Sequence, residues 1–342
     1  MTDTIKLLYI CCALGAFILT VLLSRLIIPV LKSHKMGQRI LEIGPRWHKS
    51  KEGTPTMGGI SFIFALTAVL TAAMTVLALT GYGVPRALTA TFIYALACAF
   101  IGCIDDTAKL KKKQNEGLTP IQKLILQILT SGAYTAALVL FGCIGDSLYI
   151  PYVGISIEHL GIAYYLFIVF MLVGVVNSVN LADGIDGLAS SEVFSVAVLF
   201  IVAAITRGEE IGDASVELGL LGCVMAGGTL GFLVYNFHPA RVFMGDTGSL
   251  FLGALVIGGA LLMDNPLLVI VYGFMFILES ISDIIQVLYF KLTHGKRFFK
   301  MAPIHHHFEM SGWKEKKIVV VFSTVNLIGC VIGVLLMYFG KV

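Results

Sequence analysis

The stretch IKLLYICCALGAFILTVLLSRLIIPVL, residues 5–31, decides the fold class, because Lys6 and Arg25 are its only charged residues. About 20 apolar residues in a helix are enough to cross the hydrocarbon core of a bilayer. The stretch is too long for the apolar core of a signal peptide, and no cleavage-site pattern follows it. It therefore predicts a first transmembrane helix.

Apolar runs of similar length recur along all 342 residues, and only 13% of the residues are charged, against about 25% in soluble chains. Inside lipid the backbone must satisfy its own hydrogen bonds, which favours helices, and the short alternating segments of a membrane barrel are absent from the sequence. The sequence predicts one all-α polytopic membrane domain, residues 1–342, without a soluble domain. The ten predicted spans are approximately 5–31, 58–80, 86–104, 119–141, 159–179, 184–205, 214–236, 247–263, 266–291 and 317–339.

Basic residues predict the orientation of these spans. Of the 24 Lys and Arg residues, most lie in or beside the first, third, seventh and ninth loops, and Lys and Arg accumulate on cytoplasmic loops. The odd-numbered loops are therefore predicted to face the cytoplasm, and both termini are predicted to lie on the outer side of a bacterial cytoplasmic membrane. The fourth loop, residues 148–157, alternates apolar and small residues and predicts a small hairpin.

The ninth span is longer than a bilayer core. Residues 266–291 would extend about 39 Å as one helix, against about 30 Å of hydrocarbon. Glu279 and Asp283 lie one helical turn apart within it. We expect a bend near these two residues, with the second part directed towards the cytoplasm.

Polar motifs concentrate on the odd-numbered loops. The third loop begins Asp105-Asp106-Thr107-Ala108-Lys109, and carboxylates at a membrane surface are costly if buried, which suggests a function. Neighbouring residues on a helix point in different directions, so the two aspartates are expected to do different jobs. The alternative interpretation is a simple ion pair with Lys109 at the end of a helix.

The fifth loop, NSVNLADGIDG at 177–187, and the seventh, which contains Gly245-Asp246-Thr247, each precede a predicted helix. Free N–H groups at a helix start favour phosphate, and Mg²⁺ prefers one or two carboxylates together with substrate oxygens. Asp246 is therefore a candidate magnesium ligand. The alternative for both loops is ordinary helix capping, at which Asp and Asn are favoured.

The first and ninth loops add cations and imidazoles. Lys51 and the glycines after it could meet a diphosphate, or Lys51 could instead meet anionic lipid headgroups. The consecutive His305, His306 and His307 could hydrogen-bond a phosphate or a sugar, or form a solvated polar turn. Carboxylates, lysines and histidines around a helix start are typical of metal-assisted phosphoryl transfer. Nothing resembles a nucleotide-binding Walker loop, so use of ATP is not indicated.

These motifs resemble those of the polyprenyl-phosphate N-acetylhexosamine-1-phosphate transferases, over the whole chain. The matching stretches are DDTAK at 105–109, NSVNLADGIDG at 177–187, VFMGDTGSL at 242–250 and PIHHHFE at 303–309. The last of these, with GTPTMGG at 53–59, resembles the branch of the family whose donor is UDP-N-acetylmuramoyl-pentapeptide. The resemblance implies a Mg²⁺-dependent reaction with undecaprenyl phosphate that gives lipid I and UMP.

The resemblance also implies residue roles. Asp105, Asp106, Asp246 and His305 are expected to be catalytic, with Asp246 on the metal and one of the adjacent aspartates as either base or nucleophile. Residues expected to contact substrates are Lys51, Lys113, Lys123, Asn180, Asp183, Asp186, Asn236, Phe243, Gly245 and His306. The resemblance further implies a homodimer, inhibition by nucleoside antibiotics and no nucleic acid partner.

Two other functions fit parts of the sequence. A transferase of N-acetylglucosamine-1-phosphate from the same family would share the core motifs but not the histidine run or the 53–59 segment. A transporter would place polar sites at the middle of the membrane, in internally repeated halves. Here the motifs lie on one face, and no internal repeat is visible.

Overall fold

The computed structural model describes residues 3–33, 51, 53–112, 117–151, 153–206 and 213–339. The described residues form helices and one small hairpin. The helices are α1 Asp3–Ser33, α2 Gly59–Leu79, α3 Arg86–Lys112, α4 Pro120–Leu140, α5 Ile162–Ala182, α6 Leu188–Thr206, α7 Asp213–Asn236, α8 Gly245–Leu262, α9 Val269–Tyr272, α10 Phe274–Leu292, α11 Ile304–Glu309 and α12 Glu315–Phe339.

Nine of the helices in these ranges are long and apolar enough to cross a membrane, and a sharply bent pair raises the number to ten if it counts as one span. Large apolar side chains such as Leu26 (67% exposed) and Phe170 (71% exposed) cover the outer surface. Extensive exposed apolar surface is typical of a membrane interface. The chain is therefore an all-α polytopic membrane protein.

Local sequence fixes where helices begin. Thr119 accepts a hydrogen bond from the backbone N–H of Gln122, and the Gln122 side chain accepts one from the N–H of Thr119. Pro120 takes the first helical position, where its missing N–H costs nothing. This reciprocal cap starts α4, the helix that carries Lys123.

Helix α8 is the centre of the bundle. Every residue from Thr247 to Leu262 is buried, and helices α2, α3, α5, α6 and α7 pack around it. Small residues allow these helices to approach closely, as is common at helix interfaces within membranes. A Cβ added to Gly59 of α2, for example, would collide with the Cα of Gly248 in α8. The start of α8, with Asp246, is therefore held in a fixed position.

The hairpin predicted in the fourth loop is confirmed. Strands β1 (Leu148–Ile150) and β2 (Ile155–Ile157) pair antiparallel, with Tyr149 opposite Ser156.

The ninth predicted span turns through 86° between a short segment, Pro266–Tyr272, and α10. The predicted position of this turn is wrong, because Glu279 and Asp283 both lie within the unbroken α10. The chain turns at Gly273, where an added Cβ would lie 2.7 Å from the carbonyl oxygen of Val269. Sharp helix kinks commonly occur at glycine, whereas Glu279 is accommodated in the helix because it faces a histidine of α11.

Candidate active site

Asp246, in the first turn of the buried helix α8, lies at the centre of a group of charged side chains. Its Oδ2 accepts hydrogen bonds from Lys123 Nζ at 2.7 Å and from Lys109 Nζ at 3.0 Å. Its Oδ1 accepts one from Asn180 Nδ2 at 3.0 Å, and Asn180 also donates to Ser249 Oγ. Residues from α3, α4 and α5 thus converge on one carboxylate.

Asp105 shares the same lysines. Its Oδ2 lies 2.8 Å from Lys109 Nζ and 3.8 Å from Lys123 Nζ, while its Oδ1 accepts a 2.6 Å hydrogen bond from the N–H of Leu118. The ion pair offered as the alternative for this motif is present, but Lys109 also bridges to Asp246. Lys109 is therefore a member of the site that the predicted residue set lacks, although its spacing of four from Asp105 was the available signal.

Asp106 points elsewhere, as expected for its neighbouring position on the helix. Its Oδ1 accepts from the N–H of Asp246 at 3.2 Å, and its Oδ2 from the N–H and Oγ1 of Thr247 at 2.9 and 2.7 Å. Asp106, from α3, therefore caps the start of α8. The capping role that the sequence offered to Asp246 belongs to Asp106, because the Asp106 carboxylate accepts from the N–H groups of Asp246 and Thr247.

Asp183 adds a fourth carboxylate directly after α5. Burial, together with the charges of Asp246, Asp106 and Asp186, raises the pKa of Asp183 well above its ordinary value. Lys109 and Lys123 contact Asp105 and Asp246, Asp106 lies at the start of α8, and Asp183 is influenced by the charges of Asp246 and Asp106. Four formal carboxylates therefore accompany two ammonium groups. We call these six residues the carboxylate–lysine cluster.

A second charged group lies around Asp186. Lys51 Nζ is 2.7 Å from both Asp186 Oδ1 and Glu315 Oε2. His238 Nδ1 is 3.1 Å from Asp186 Oδ2 and 3.3 Å from Glu315 Oε2. We call these four residues the Lys51 tetrad. His238 and Glu315 were not among the predicted site residues. His238 lies in the seventh loop, ahead of Asp246, and Glu315 has no sequence signal beyond its place at the start of a helix.

The seventh loop is braced by main-chain contacts with the first. Phe243 donates its N–H to the carbonyl of Pro55 and accepts from the N–H of Gly58. Asn236 is 1% exposed and donates to the carbonyl of Val242, so in this structure it supports the turn from within. Gly245 has φ +72°, and an added Cβ there would lie 2.6 Å from Asp106 Oδ2, which explains why glycine precedes Asp246.

Comparison with known proteins identifies the family. The family described as Glycosyl transferase family 4 matches residues 88–264, just over half of the chain, and the phospho-N-acetylmuramoyl-pentapeptide-transferase signature 1 matches residues 51–63. A phospho-N-acetylmuramoyl-pentapeptide-transferase of Clostridium acetobutylicum is 45% identical over 325 residues, which cover 94% of this chain and 96% of the relative. The chain belongs to the phospho-N-acetylmuramoyl-pentapeptide-transferase family.

Other members of the phospho-N-acetylmuramoyl-pentapeptide-transferase family give similar values. The protein of that name from Clostridium perfringens strain 13 is 42% identical over 93% of this chain and 95% of its own length. The protein of that name from Acetivibrio thermocellus is 41% identical over 93% of this chain and 92% of its own length. The family 4 match contains the whole carboxylate–lysine cluster, and the signature begins at Lys51.

The histidine run of this family member packs against the turn that follows α5 and against α10. His305 is fully buried, and an added Cβ on Gly184 would collide with its ring. Its Nδ1 is 3.0 Å from Glu279 Oε2, while His306 Nδ1 is 2.6 Å from Glu309 Oε2. Direct contact of His305 or His306 with a substrate stays a prediction, and Lys113 lies outside the described residues.

Proposed function

We propose that this chain transfers phospho-N-acetylmuramoyl-pentapeptide from UDP-N-acetylmuramoyl-pentapeptide to undecaprenyl phosphate, giving lipid I and UMP. The observation that carries the proposal is the carboxylate–lysine cluster at the start of a buried helix, in a chain of this family. Two lysines 2.7 and 3.0 Å from one carboxylate provide fixed positive charge, and transfer of a phosphoryl group depends mainly on such charge and on positioning.

The donor set of the cluster fits Mg²⁺. Four carboxylates against two ammonium groups leave a formal excess of negative charge. Burial, and then the charges of the neighbouring carboxylates, raises the pKa of Asp183. Asp246 is the proposed ligand, because it is the most central of the four and Mg²⁺ is commonly held by one or two carboxylates plus phosphate oxygens. The ion would supply charge neutralisation at the donor diphosphate.

The carboxylates of the cluster also have a role in the displacement itself. An oxygen of undecaprenyl phosphate attacks the β-phosphorus of the donor, the bond to UMP breaks, and a carboxylate accepts the proton of the attacking group. Each oxygen of Asp106 accepts from a main-chain N–H at the start of α8, whereas Asp105 Oδ2 is held by lysine side chains. This difference favours Asp105 for the role. Two routes remain open: Asp105 as the base in a single displacement, or as a nucleophile that forms an aspartyl-phosphate first.

We further propose that the cluster faces the cytoplasm. The cluster lies on odd-numbered loops, and the first, third and ninth of these loops hold most of the Lys and Arg residues, a distribution typical of the cytoplasmic side. Both termini would then lie outside, and α10, which follows the turn at Gly273, would lead towards the cytoplasm beside the polyprenyl chain. A homodimer, and inhibition by uridine-containing antibiotics at the Lys51, Asn236, Phe243 and Gly245 region, complete this proposal.

The rival within the wider family is a transferase of N-acetylglucosamine-1-phosphate. The experiment is to purify the protein in detergent and to measure UMP release with undecaprenyl phosphate, Mg²⁺ and either UDP-N-acetylmuramoyl-pentapeptide or UDP-N-acetylglucosamine. We expect release with the muramoyl donor alone. Release with the glucosamine donor alone would replace the proposed reaction by the rival one, and no release with either donor would reopen a transport function.

A further inference from the structure

Two amide side chains bind one another between the membrane-spanning helices α4 and α5. Gln127 of α4 donates from Nε2 to Asn177 Oδ1 of α5 at 3.3 Å, and Asn177 donates from Nδ2 to Gln127 Oε1 at 2.9 Å. Asn177 Nδ2 also donates to the carbonyl of Val173 at 2.8 Å, and Gln127 is 3% exposed. A buried amide without a partner is costly, so this reciprocal contact, which we call the amide pair, holds the two helices in one register.

The amide pair lies one helical turn from the carboxylate–lysine cluster. Gln127 follows Lys123 by four residues on α4, about 6 Å along the same face of the helix. Asn177 precedes Asn180 by three residues on α5, about 4.5 Å along that helix. Lys123 and Asn180 donate to the two oxygens of Asp246 at 2.7 and 3.0 Å. Asp246 and the amide pair therefore join the same two helices at successive turns.

The remainder of α4 is held against a different helix. Ser131 Oγ lies 3.0 Å from the hydroxyl oxygen of Tyr94, and the hydroxyl oxygen of Tyr134 lies 2.6 Å from Thr91 Oγ1. Both contacts join α4 to α3, and the rings of Tyr94 and Tyr134 stack at 4.6 Å. These contacts fix α4 relative to α3, so the spacing of α4 and α5 beside Asp246 depends on the amide pair.

We propose that Gln127 and Asn177 are positioning residues for the transfer reaction. The amide pair sets the distance between the two helices, and thereby the places from which Lys123 and Asn180 reach opposite oxygens of Asp246. A lysine ammonium is a point charge on a flexible stem, so its contribution to a transition state depends on where the stem is anchored. The inference rests on the proposed function in taking Asp246 as the centre of phosphoryl transfer.

Substitution of Gln127 by leucine tests the proposal, because it removes the amide at a similar side-chain volume. We expect kcat of UMP release to fall about tenfold and the KM for the donor to change less than about twofold, since misplacement by about 1 Å can cost up to about 100-fold in rate. Thr135→Val is the matched control: Thr135 is buried on the same helix, and its hydroxyl donates within α4 to the carbonyl of Ser131. An unchanged kcat in Gln127→Leu, or a change confined to KM, would overturn the proposal.

Exchange of the two amides separates their pairing from a general loss of stability. Gln127→Asn shortens one side chain and Asn177→Gln lengthens the other, whereas the double variant restores their combined length with the same donors and acceptors. We expect each single variant to lower kcat and the double variant to recover most of the loss, a non-additive result expected of residues in contact. A double variant whose loss equals the sum of the two single losses would overturn the proposal, and this comparison also serves if Gln127→Leu does not fold.

The reactivity of Lys123 towards a small amine-specific reagent needs no turnover. Labelling of the wild type and the same variants without substrate would be located by mass spectrometry. We expect Lys123 to be labelled several times faster in Gln127→Leu, while Lys109 of α3, which contacts the same carboxylates, is labelled no faster than in the wild type. An equal rise at both lysines, or no rise at Lys123, would overturn the proposal. A wild type that releases no UMP would count against the proposed function alone, and the labelling would still decide whether the amide pair positions Lys123.

Discussion

The substitution Asp106→Asn distinguishes the role of Asp106 from that of its neighbour Asp105. The Asp106 carboxylate accepts three hydrogen bonds at the start of α8, from the N–H groups of Asp246 and Thr247 and from Thr247 Oγ1. Asn keeps one acceptor and turns an NH₂ group towards an N–H, which leaves a buried donor without a partner at a cost of about 1–3 kcal/mol. The lost interaction of the carboxylate with the helix dipole adds about 0.5–1 kcal/mol.

Relief of the repulsion between Asp106 and Asp246 offsets part of this cost, so we expect a net loss of about 1–3 kcal/mol in the free energy of unfolding. Thermal unfolding in detergent should show Asp106→Asn several degrees below the wild type, with reduced UMP release. Thr247→Val removes only the hydroxyl contact and should cost about 1 kcal/mol. By contrast, Asp105→Asn should lose kcat with a smaller change in melting temperature. An Asp106→Asn variant as stable as the wild type but inactive would refute the capping role and place Asp106 in the chemistry.

Three further substitutions test other parts of the site. Gly184→Ala places a methyl group against the His305 ring, so we expect the free energy of unfolding to fall by about 1–3 kcal/mol and UMP release to slow. Gly174→Ala, where the added methyl group meets open space, is the control. Equal stability and activity of the two variants would contradict the contact with His305. Asp246→Asn should lower kcat about 100-fold or more, and retention of most activity would remove Asp246 from its central role. Because the pKa of Asp183 is raised in the folded protein, the stability of the wild type in EDTA should fall as pH rises from about 4. Asp183→Asn should depend less on pH over the same range. Parallel curves of stability against pH for the two proteins would contradict the raised pKa of Asp183.

Much of the fold could be predicted from the sequence, because the length of an apolar run is a local property. The predicted span 119–141 corresponds to α4, and 214–236 to α7, within one residue at each end. The turn at Gly273 was misplaced because polar residues inside an apolar run suggested a break. Glu279 needs no break, since His305 meets it from a segment that follows 26 residues later.

The site was only partly predictable, since motifs show which residues are present but not what they contact. Asp105 and Asp246 were predicted together, and the structure joins them through Lys109 and Lys123. The capping role of Asp106 depends on a contact across 141 residues of sequence, which no local pattern reveals.

The tetrad and the histidine run show the same limit. Glu315 meets Lys51 across 264 residues, and only the packing of α12 brings them together. The burial of His305 behind Gly184 likewise depends on how α11 packs against the turn between α5 and α6. A polar run in a loop could equally have been solvated.

Detection of the lipid product is the decisive experiment for the proposed reaction. Purified wild type in lipid vesicles would be given undecaprenyl phosphate, UDP-N-acetylmuramoyl-pentapeptide and Mg²⁺, and lipid I and UMP would be quantified by mass spectrometry. We expect equal amounts of lipid I and UMP from the wild type, and neither product from Asp246→Asn or in the presence of EDTA. UMP formed without lipid I, or lipid I formed at the wild-type rate by Asp246→Asn, would contradict it.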